Sequence, residues 1–236
     1  LCLDAANTKS YPGTGTTWSD AGGSTIQGTL VNSPTYSSGS FTFNGTNNIA
    51  TIPNSTAVNI TGSITVEVWL KYNALAGSDN QLIGKYSNSG GAATQGWIMF
   101  RSTSNYTAYG PGGSGGPNVN EFAWLATSNG STNGSFIGTG EQVLSGVWYC
   151  VCGVFTSVND SIQLYVNGVL KRSATRTGQT AGLLESVSNV VSIGANYEDN
   201  NRWTNGNISI AKIYNRALTD VEIQQNFNAF RGRYGI

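Results

Sequence analysis

Short runs of alternating hydrophobic and polar residues follow one another along most of the chain, and clusters of Gly, Asn and Ser separate them. This pattern is typical of an antiparallel β-sandwich. In the run 64–71 the even positions are apolar and the odd positions mostly polar, which places the two sets on opposite faces of a strand. The predicted strands are Ser40–Asn44, Ile49–Ile52, Ser63–Lys71, Gln81–Tyr86, Gly96–Arg101, Glu121–Thr127, Val147–Phe155, Ser161–Val166, Val169–Ser173, Val190–Ala195 and Asn207–Tyr214. So many strands suit two stacked sheets better than a small barrel.

The end of the chain carries the clearest helix signal. Thr219 is followed three positions later by Glu222, which is the pattern of a capping box. Ile223, Phe227 and Phe230 then form one apolar stripe at helical spacing. We therefore predict a short C-terminal helix that docks on the edge of the sandwich.

The connections between strands are also partly predicted. Asn167-Gly168 stands between two apolar runs, which indicates a two-residue hairpin turn. Asn105–Asn120 and Ser128–Gly140 are rich in Gly, Ser and Asn, and we predict two long surface loops that do not fill a core.

Composition excludes several classes of function. The 236 residues include 12 Lys+Arg, 12 Asp+Glu, three Cys and no His. Without His there is no imidazole base, no His-assisted nucleophile and no His-ligated metal, and three Cys cannot complete a four-thiolate zinc site. Scattered charges and zero net charge argue against nucleic-acid binding, which needs a concentrated basic surface. No run approaches the ~20 apolar residues of a membrane helix.

The cysteines and the first residue bear on the setting of the chain. Cys150 and Cys152 share one face of a predicted strand and are poorly placed to bridge each other, whereas Cys2 could pair with either. We expect three buried thiols and folding in a reducing compartment. Leu1 already falls within strand-like sequence, so residues 1–236 are expected to be one domain at the C-terminal end of a longer chain.

Several short motifs occur in a fixed order along the chain. They are LDAANTKSYPG (Leu3–Gly13), FNGTNN (Phe43–Asn48), LYVNG (Leu164–Gly168), IYNRAL (Ile213–Leu218) and QNFNAFRGRYGI (Gln225–Ile236). Together they resemble laminin-G-like, or concanavalin A-like, jelly-roll domains, and the first and last motifs are similar to the versions in virion proteins of tailed bacteriophages. The resemblance implies an all-β jelly-roll sandwich of two antiparallel sheets with one short C-terminal helix.

The same resemblance implies a function class. Laminin-G-like domains are adhesive, so the chain is expected to be a non-enzymatic structural and adhesive module on a virion surface, made in the host cytoplasm. Its expected partners are other capsid or fibre proteins and host-surface polysaccharide, and identical chains are expected to form a homo-oligomer. The alternatives are a capsid-cementing protein with no external ligand and a polysaccharide-cleaving glycoside hydrolase.

The hydrolase alternative depends on paired carboxylates. Glycoside hydrolysis needs two of them about 5 to 10 Å apart. Glu67 and Glu121 each stand alone in a predicted strand, and Glu222 belongs to the helix cap. The sequence therefore favours a protein that is not an enzyme and has no catalytic residue.

A calcium ion at the sandwich rim is a feature of some relatives, and it has weak candidates here. Asn47 and Asn48 occupy the loop where relatives carry an acidic residue, and Glu198 and Asp199 could supply carboxylates from the loop 196–205. Because charged ligands are missing from the first loop, we predict a weak site or none, and no other cofactor.

Aromatic and amide side chains in polar loops are candidates for sugar binding. Trp203 follows Asn200 and Arg202 in one loop, and Tyr106 and Tyr109 lie in another. A ring can stack on the apolar face of a sugar while amide and guanidinium groups bond its hydroxyls. These five residues are the predicted glycan-binding set.

Overall fold

The strands of the computed structural model, which describes residues 1–87, 95–106, 115–127, 135–176 and 189–236, pair antiparallel in two sheets. In chain order they are β1 (Cys2–Asp4), β2 (Thr17–Ser19), β3 (Gln27–Val31), β4 (Thr35–Ser37), β5 (Ser40–Asn44), β6 (Ile49–Ile52), β7 (Ile64–Tyr72), β8 (Asn80–Tyr86), β9 (Gln95–Arg101), β10 (Phe122–Ala126), β11 (Ser135–Gly138), β12 (Trp148–Thr156), β13 (Ser161–Val166), β14 (Val169–Thr175), β15 (Val191–Ile193) and β16 (Asn205–Tyr214). The single helix of the described residues, α1, is Asp220–Tyr234.

The two sheets stack over one apolar core. Sheet 1 has the order β14-β13-β12-β7-β16-β5-β4, with β1 also paired to β16, and sheet 2 has the order β11-β10-β9-β8-β15-β6-β3-β2. Half of the strand pairs join strands that are not consecutive in the sequence, among them β7 with β12 and β16 in sheet 1 and β15 with β6 and β8 in sheet 2, as in a jelly roll. The predicted fold class, two antiparallel sheets with a C-terminal helix, is confirmed.

Some strands escaped the sequence pattern. β2, β3 and β4 are three to five residues long and each contains Thr or Ser, so they lack the apolar alternation that identifies the longer strands. The prediction that Ser128–Gly140 is a loop outside the core was wrong at its end, because β11 pairs with β10 there. Ile137 of this strand is fully buried in the main core.

The core is filled by apolar side chains from the facing sides of both sheets. Val66, Val68 and Leu70 contribute from β7, as their alternation predicted, and Trp124 contributes from β10. A Cβ added at Gly153 would lie 2.5 Å from the Trp124 ring, so the glycine leaves room for the indole. The predicted hairpin is also confirmed, since Asn167 and Gly168 have φ values of 52° and 76°.

Helix α1 begins as the capping box predicted, but it does not dock on the sandwich edge. It covers the outer face of sheet 1, where the Trp69 ring lies 5.7 Å from that of Phe227 and 4.6 Å from that of Tyr234. The edge prediction was wrong because Trp69, at a position expected to face outward, offers a large apolar surface in the middle of the sheet. No helix within the described ranges is long and apolar enough to span a membrane.

A buried ion pair lies beneath the helix. Lys212 Nζ donates to Glu67 Oε1 at 2.9 Å, and the Trp69 indole N–H donates to the same oxygen at 3.1 Å. Asn226 of α1 donates to Glu67 Oε2 at 3.1 Å. Burial alone would lower the pKa of Lys212, but the charge and hydrogen bond of Glu67, together with Tyr214 and Cys2, outweigh burial and the pKa is raised. Both carboxylate oxygens of Glu67 and the ammonium group of Lys212 thus have a partner inside an apolar face.

The three cysteines are all free. Cys150 and Cys152 are buried on the helix-covered side of sheet 1, and burial raises the pKa of both thiols well above the ordinary value. Cys2 is only half-buried, so the expectation of three buried thiols was wrong for this residue. It sits on β1 at the rim of the sheet, where fewer side chains cover it.

Substituting Glu67→Gln should lower the free energy of unfolding by about 3 kcal/mol, because it leaves the buried ammonium of Lys212 without a countercharge. Chemical denaturation measures the loss. The matched control is Glu141→Gln, whose carboxylate is 59% exposed in its pair with Lys171. That exposed pair should contribute at most about 1 kcal/mol. Equal losses in the two variants would contradict the structural role given to Glu67.

Candidate functional site

Three loops meet at one end of the sandwich and enclose a cavity of about 380 Å³, here called the end cleft. They are the turn after β3, the loop 45–48 between β5 and β6, and the loop 194–204 between β15 and β16. The lining residues are Val31, Asn32, Asn47, Ile49, Tyr197, Glu198, Asn200 and Trp203. The end cleft therefore brings the predicted calcium loop and the predicted sugar-binding loop together.

The segment 196–201 is closed on itself by hydrogen bonds. Asn196 and Asn201 exchange main-chain bonds of 2.9 and 3.2 Å, and the Asn196 side-chain amide donates to the Asp199 carboxylate at 2.9 Å. Asn200 adopts a left-handed φ of 48°, a conformation that Asn tolerates better than most residues. The closed segment holds Tyr197, Glu198 and Asn200 at the mouth of the end cleft.

Trp203 forms the inner wall of the end cleft. Its side chain is half-buried, and its carbonyl accepts a hydrogen bond of 2.8 Å from the Asn80 amide. The same indole lines a neighbouring cavity of about 290 Å³ beside Gly45 and Asn205. Trp203 thus lines two cavities, and Tyr197, which is 51% exposed, adds a second aromatic residue to the end cleft.

The opposite wall is built from asparagine amides. Asn44 Oδ1 accepts from the backbone N–H groups of residues 46, 47 and 48 at 3.0, 3.0 and 3.3 Å. The Asn48 amide donates to the Asn32 carbonyl at 2.6 Å, and the Asn32 amide donates to the Asn47 carbonyl at 2.8 Å. These side chains replace the backbone pairing that a tight loop lacks, and they fix the loop 45–48 against the turn at Asn32.

The five predicted glycan-binding residues divide into separate groups. Asn200 and Trp203 line the end cleft, whereas Arg202 turns away from it, with its guanidinium 5.4 Å from the Tyr86 ring. Tyr106 packs against the same aromatic cluster on the outer face of sheet 2 and donates to Asp79 at 2.7 Å. Burial and this hydrogen bond raise the pKa of Tyr106 to about 12. Tyr109 lies outside the described residues.

The four calcium candidates are also divided. Asn47 and Glu198 line the end cleft, while Asn48 is buried behind its wall. Glu198 accepts from the Val190 backbone N–H at 3.1 Å, and Asp199 accepts from Ser87 and from Asn196, each at 2.9 Å. Within the part of the chain that the structure describes, no three or more acidic, Cys or His side chains cluster as a metal site would require.

Four lining residues were not among the predicted set, namely Val31, Asn32, Ile49 and Tyr197, and the two with polar groups are Asn32 and Tyr197. Tyr197 stands beside Glu198 in the same polar loop, so an aromatic residue in a loop already singled out was the available signal. Asn32 follows a short strand that the pattern did not predict, and no sequence feature connects it to Trp203. The end cleft as a whole offers two aromatic rings, several amides and one carboxylate, a mixture that suits a polar ligand with apolar faces.

The comparisons with known proteins agree with this architecture. Residues 43–224 match the laminin-G model of the concanavalin A-like lectin/glucanases superfamily. Because the match covers well over half of the chain, the protein belongs to this family. The family resemblance inferred from the short motifs is confirmed.

Solved structures of similar fold come from binding domains and a pentraxin. The binding domain of Paraclostridial Mosquitocidal Protein 1 is 17% identical with a TM-score of 0.65, covering 89% of this chain and 49% of that one. The ligand binding domain of botulinum neurotoxin serotype D, solved with N-acetylneuraminic acid, is 13% identical with a TM-score of 0.66 and covers 97% and 50%. A heptameric pentraxin from Limulus polyphemus is 16% identical with a TM-score of 0.52 and covers 78% of both chains. The chain spans about half the length of the two toxin domains, and these similarities establish the fold.

Substituting Asn48→Ala should lower the free energy of unfolding by about 1 to 3 kcal/mol, because it removes the bonds to the Asn32 carbonyl and the Asn44 N–H. Urea denaturation measures the change. Thr46→Ala, in the same loop but with an exposed side chain, is the control and should cost less than about 0.5 kcal/mol. If the two variants lose the same stability, the amide wall is not what holds the loop.

Calcium should leave the melting temperature within about 1 °C of its value in chelator, because the Asp199 and Glu198 oxygens already accept hydrogen bonds from the protein. The melting temperature reports calcium binding, since a ligand that binds the native state stabilises it. Differential scanning calorimetry in millimolar calcium and in excess chelator makes the comparison. A rise of several degrees with calcium would establish a site, and Glu198→Gln would then locate it.

Proposed function

We propose that this chain is a non-catalytic carbohydrate-binding module and that the end cleft holds the saccharide. The observation that carries the proposal is the presence of Trp203 and Tyr197 beside the amides of Asn32, Asn47 and Asn200 in one cavity. An indole face can stack on the C–H side of a sugar ring, while amides bond the hydroxyl groups around it. Glu198 Oε1 accepts from the Val190 N–H at 3.1 Å, and Oε2 adds an acceptor for a hydroxyl.

The environments of the lone glutamates support binding rather than hydrolysis. Glu67 lies on sheet 1 beneath α1, fully buried and paired with Lys212. Glu121 precedes β10 of sheet 2, where Asn118 and the Gly140 N–H hold its two oxygens at 2.9 and 3.0 Å. Neither carboxylate lines the end cleft, and the two lie in different sheets. A hydrolase would need both of them beside one glycosidic bond.

The relatives support the class of ligand, not its identity. The botulinum neurotoxin domain of similar fold was solved with a sugar acid, N-acetylneuraminic acid. The family description covers both lectins and glucanases. Both observations support a saccharide as the class of ligand proposed for this chain.

The proposed setting of the module is a bacteriophage virion surface, where many copies would add weak contacts into avidity for a host polysaccharide. This setting is supported by the resemblance of the segments Leu3–Gly13 and Gln225–Ile236 to virion proteins. Cryo-electron microscopy of an intact particle tests it. A copy that projects outward with the end cleft free agrees with the proposal, whereas a copy pressed between capsomers with that cleft buried favours a cementing role.

Substituting Trp203→Ala should weaken saccharide binding at least about tenfold, which corresponds to about 1.4 kcal/mol for a well-packed aromatic contact. A glycan array identifies the ligand, and isothermal titration calorimetry then compares the variants. Trp148→Ala, which removes a tryptophan from a different surface, is the control, and with a neutral saccharide chosen from the array it should bind as the parent protein does. Retained affinity in Trp203→Ala would move the site away from the end cleft, and capsid binding insensitive to free sugar would favour cementing.

A further inference from the structure

A row of side chains crosses the outer face of sheet 1. Trp148 on β12 stands opposite Lys71 on β7, Lys71 stands opposite Asn207 on β16, and Asn207 stands opposite Thr42 on β5. Residues directly opposite each other in a sheet point to the same side. The pairing register therefore brings an indole, an ammonium group, an amide and a hydroxyl into one line.

The end of α1 leaves this row open. Two and four positions before Lys71, the same face carries Trp69 and Glu67, which α1 buries. The helix ends at Tyr234, and Gly235 then adopts a left-handed φ of 70°. Beyond that end lies a cavity of about 420 Å³, here called the face groove. It is lined by the four residues of the row together with Ser37, Ser38, Ser40, Arg233 and Tyr234, none of which is acidic.

The face groove carries one positive charge that the protein does not neutralise. The Lys71 ammonium lies 5.5 Å from the centroid of the Trp148 ring and makes neither an ion pair nor a hydrogen bond with any described residue. Arg233, the other cation of the groove, is paired with Asp4 through bonds of 2.8 and 3.2 Å. The three donors of Lys71 are thus available to a ligand.

Hydrogen-bonding groups surround that charge. The Asn207 amide donates to the Thr42 hydroxyl at 2.8 Å, and its Oδ1 accepts no hydrogen bond from a described residue. Ser37 and Ser38 are exposed at the turn between β4 and β5 and add hydroxyls at the rim. The half-buried Trp148 ring, packed 4.5 Å from Tyr234, supplies an apolar surface.

We infer that the face groove is a second saccharide site, selective for a sugar residue that carries a negative charge. Lys71 pairs with the carboxylate or sulfate of that sugar, Trp148 contacts its apolar side, and Asn207 and the serines bond its hydroxyls. The face groove shares no lining residue with the end cleft, so this inference goes beyond the function proposed for that cleft and does not depend on it.

The experiment compares acidic oligosaccharides with their uncharged counterparts. The probes are oligogalacturonate, its methyl ester, oligomers of N-acetylneuraminic acid and dextran sulfate, whose only anions are sulfates, with affinity measured by isothermal titration calorimetry at low salt. Lys71→Met should weaken binding of the acidic probe about five- to tenfold, as expected for one charge-assisted contact at a partly exposed site. Lys9→Met removes an exposed lysine elsewhere and is the matched control, which should bind as the parent protein does.

The outcomes separate this inference from the end-cleft proposal. Trp203→Ala should leave binding of the acidic probe unchanged, and Trp148→Ala should weaken it, with the melting temperature of each variant confirming the fold. Preference for the carboxylate probes or for the sulfate probe identifies the anion. Equal affinity for oligogalacturonate and its methyl ester, an equal effect of Lys71→Met and Lys9→Met, or no binding of any acidic probe would each overturn the inference.

Discussion

The packing of α1 against Trp69 determines how the outer face of sheet 1 is divided between core and surface. Trp69 is fully buried beneath Phe227 and Tyr234, and the helix that covers it also seals the Glu67–Lys212 ion pair from water. Such a pair is stable in an apolar setting only when every charge is matched, and Asn226 of the helix supplies the last partner. Where the helix ends, the same face becomes open and polar. The packing of α1 on Trp69 therefore sets the boundary between the apolar cluster beneath the helix and the face groove.

The end cleft follows from a different constraint, the need to satisfy backbone groups in loops without regular pairing. Asn44 accepts hydrogen bonds from three backbone N–H groups, and the Asn196 amide donates a hydrogen bond to Asp199. Each loop is therefore held largely by its own amides. Side chains that do not serve this purpose, above all Trp203 and Tyr197, are left to line the cleft. The asparagine-rich character of these loops therefore gives them a fixed shape as well as polarity.

The fold could largely be predicted because its signals are local. Alternation in β7, the Asn167-Gly168 turn and the capping box at Thr219 each depend on neighbouring residues, and all three are confirmed. The helix position could not be predicted, because it depends on how Trp69 meets Phe227 across a long stretch of chain. The same limit applies to the candidate sites. Trp203 and Asn200 could be identified because they lie in one loop. Asn32, Lys71 and Trp148 could not, because pairing between distant segments brings them to the cavities.

The two ends of the loop 194–204 belong to different sheets. β15 lies in sheet 2 between β8 and β6, and β16 lies in sheet 1 between β7 and β5, so both flanking strands are interior strands. Tension applied to Trp203 would be transmitted along this loop into the middle of both sheets at once. Strands hydrogen-bonded on both sides resist such tension in shear, whereas an edge strand can be peeled away one bond at a time. We expect the loop 194–204 to resist a pulling force better than a loop that is flanked by edge strands.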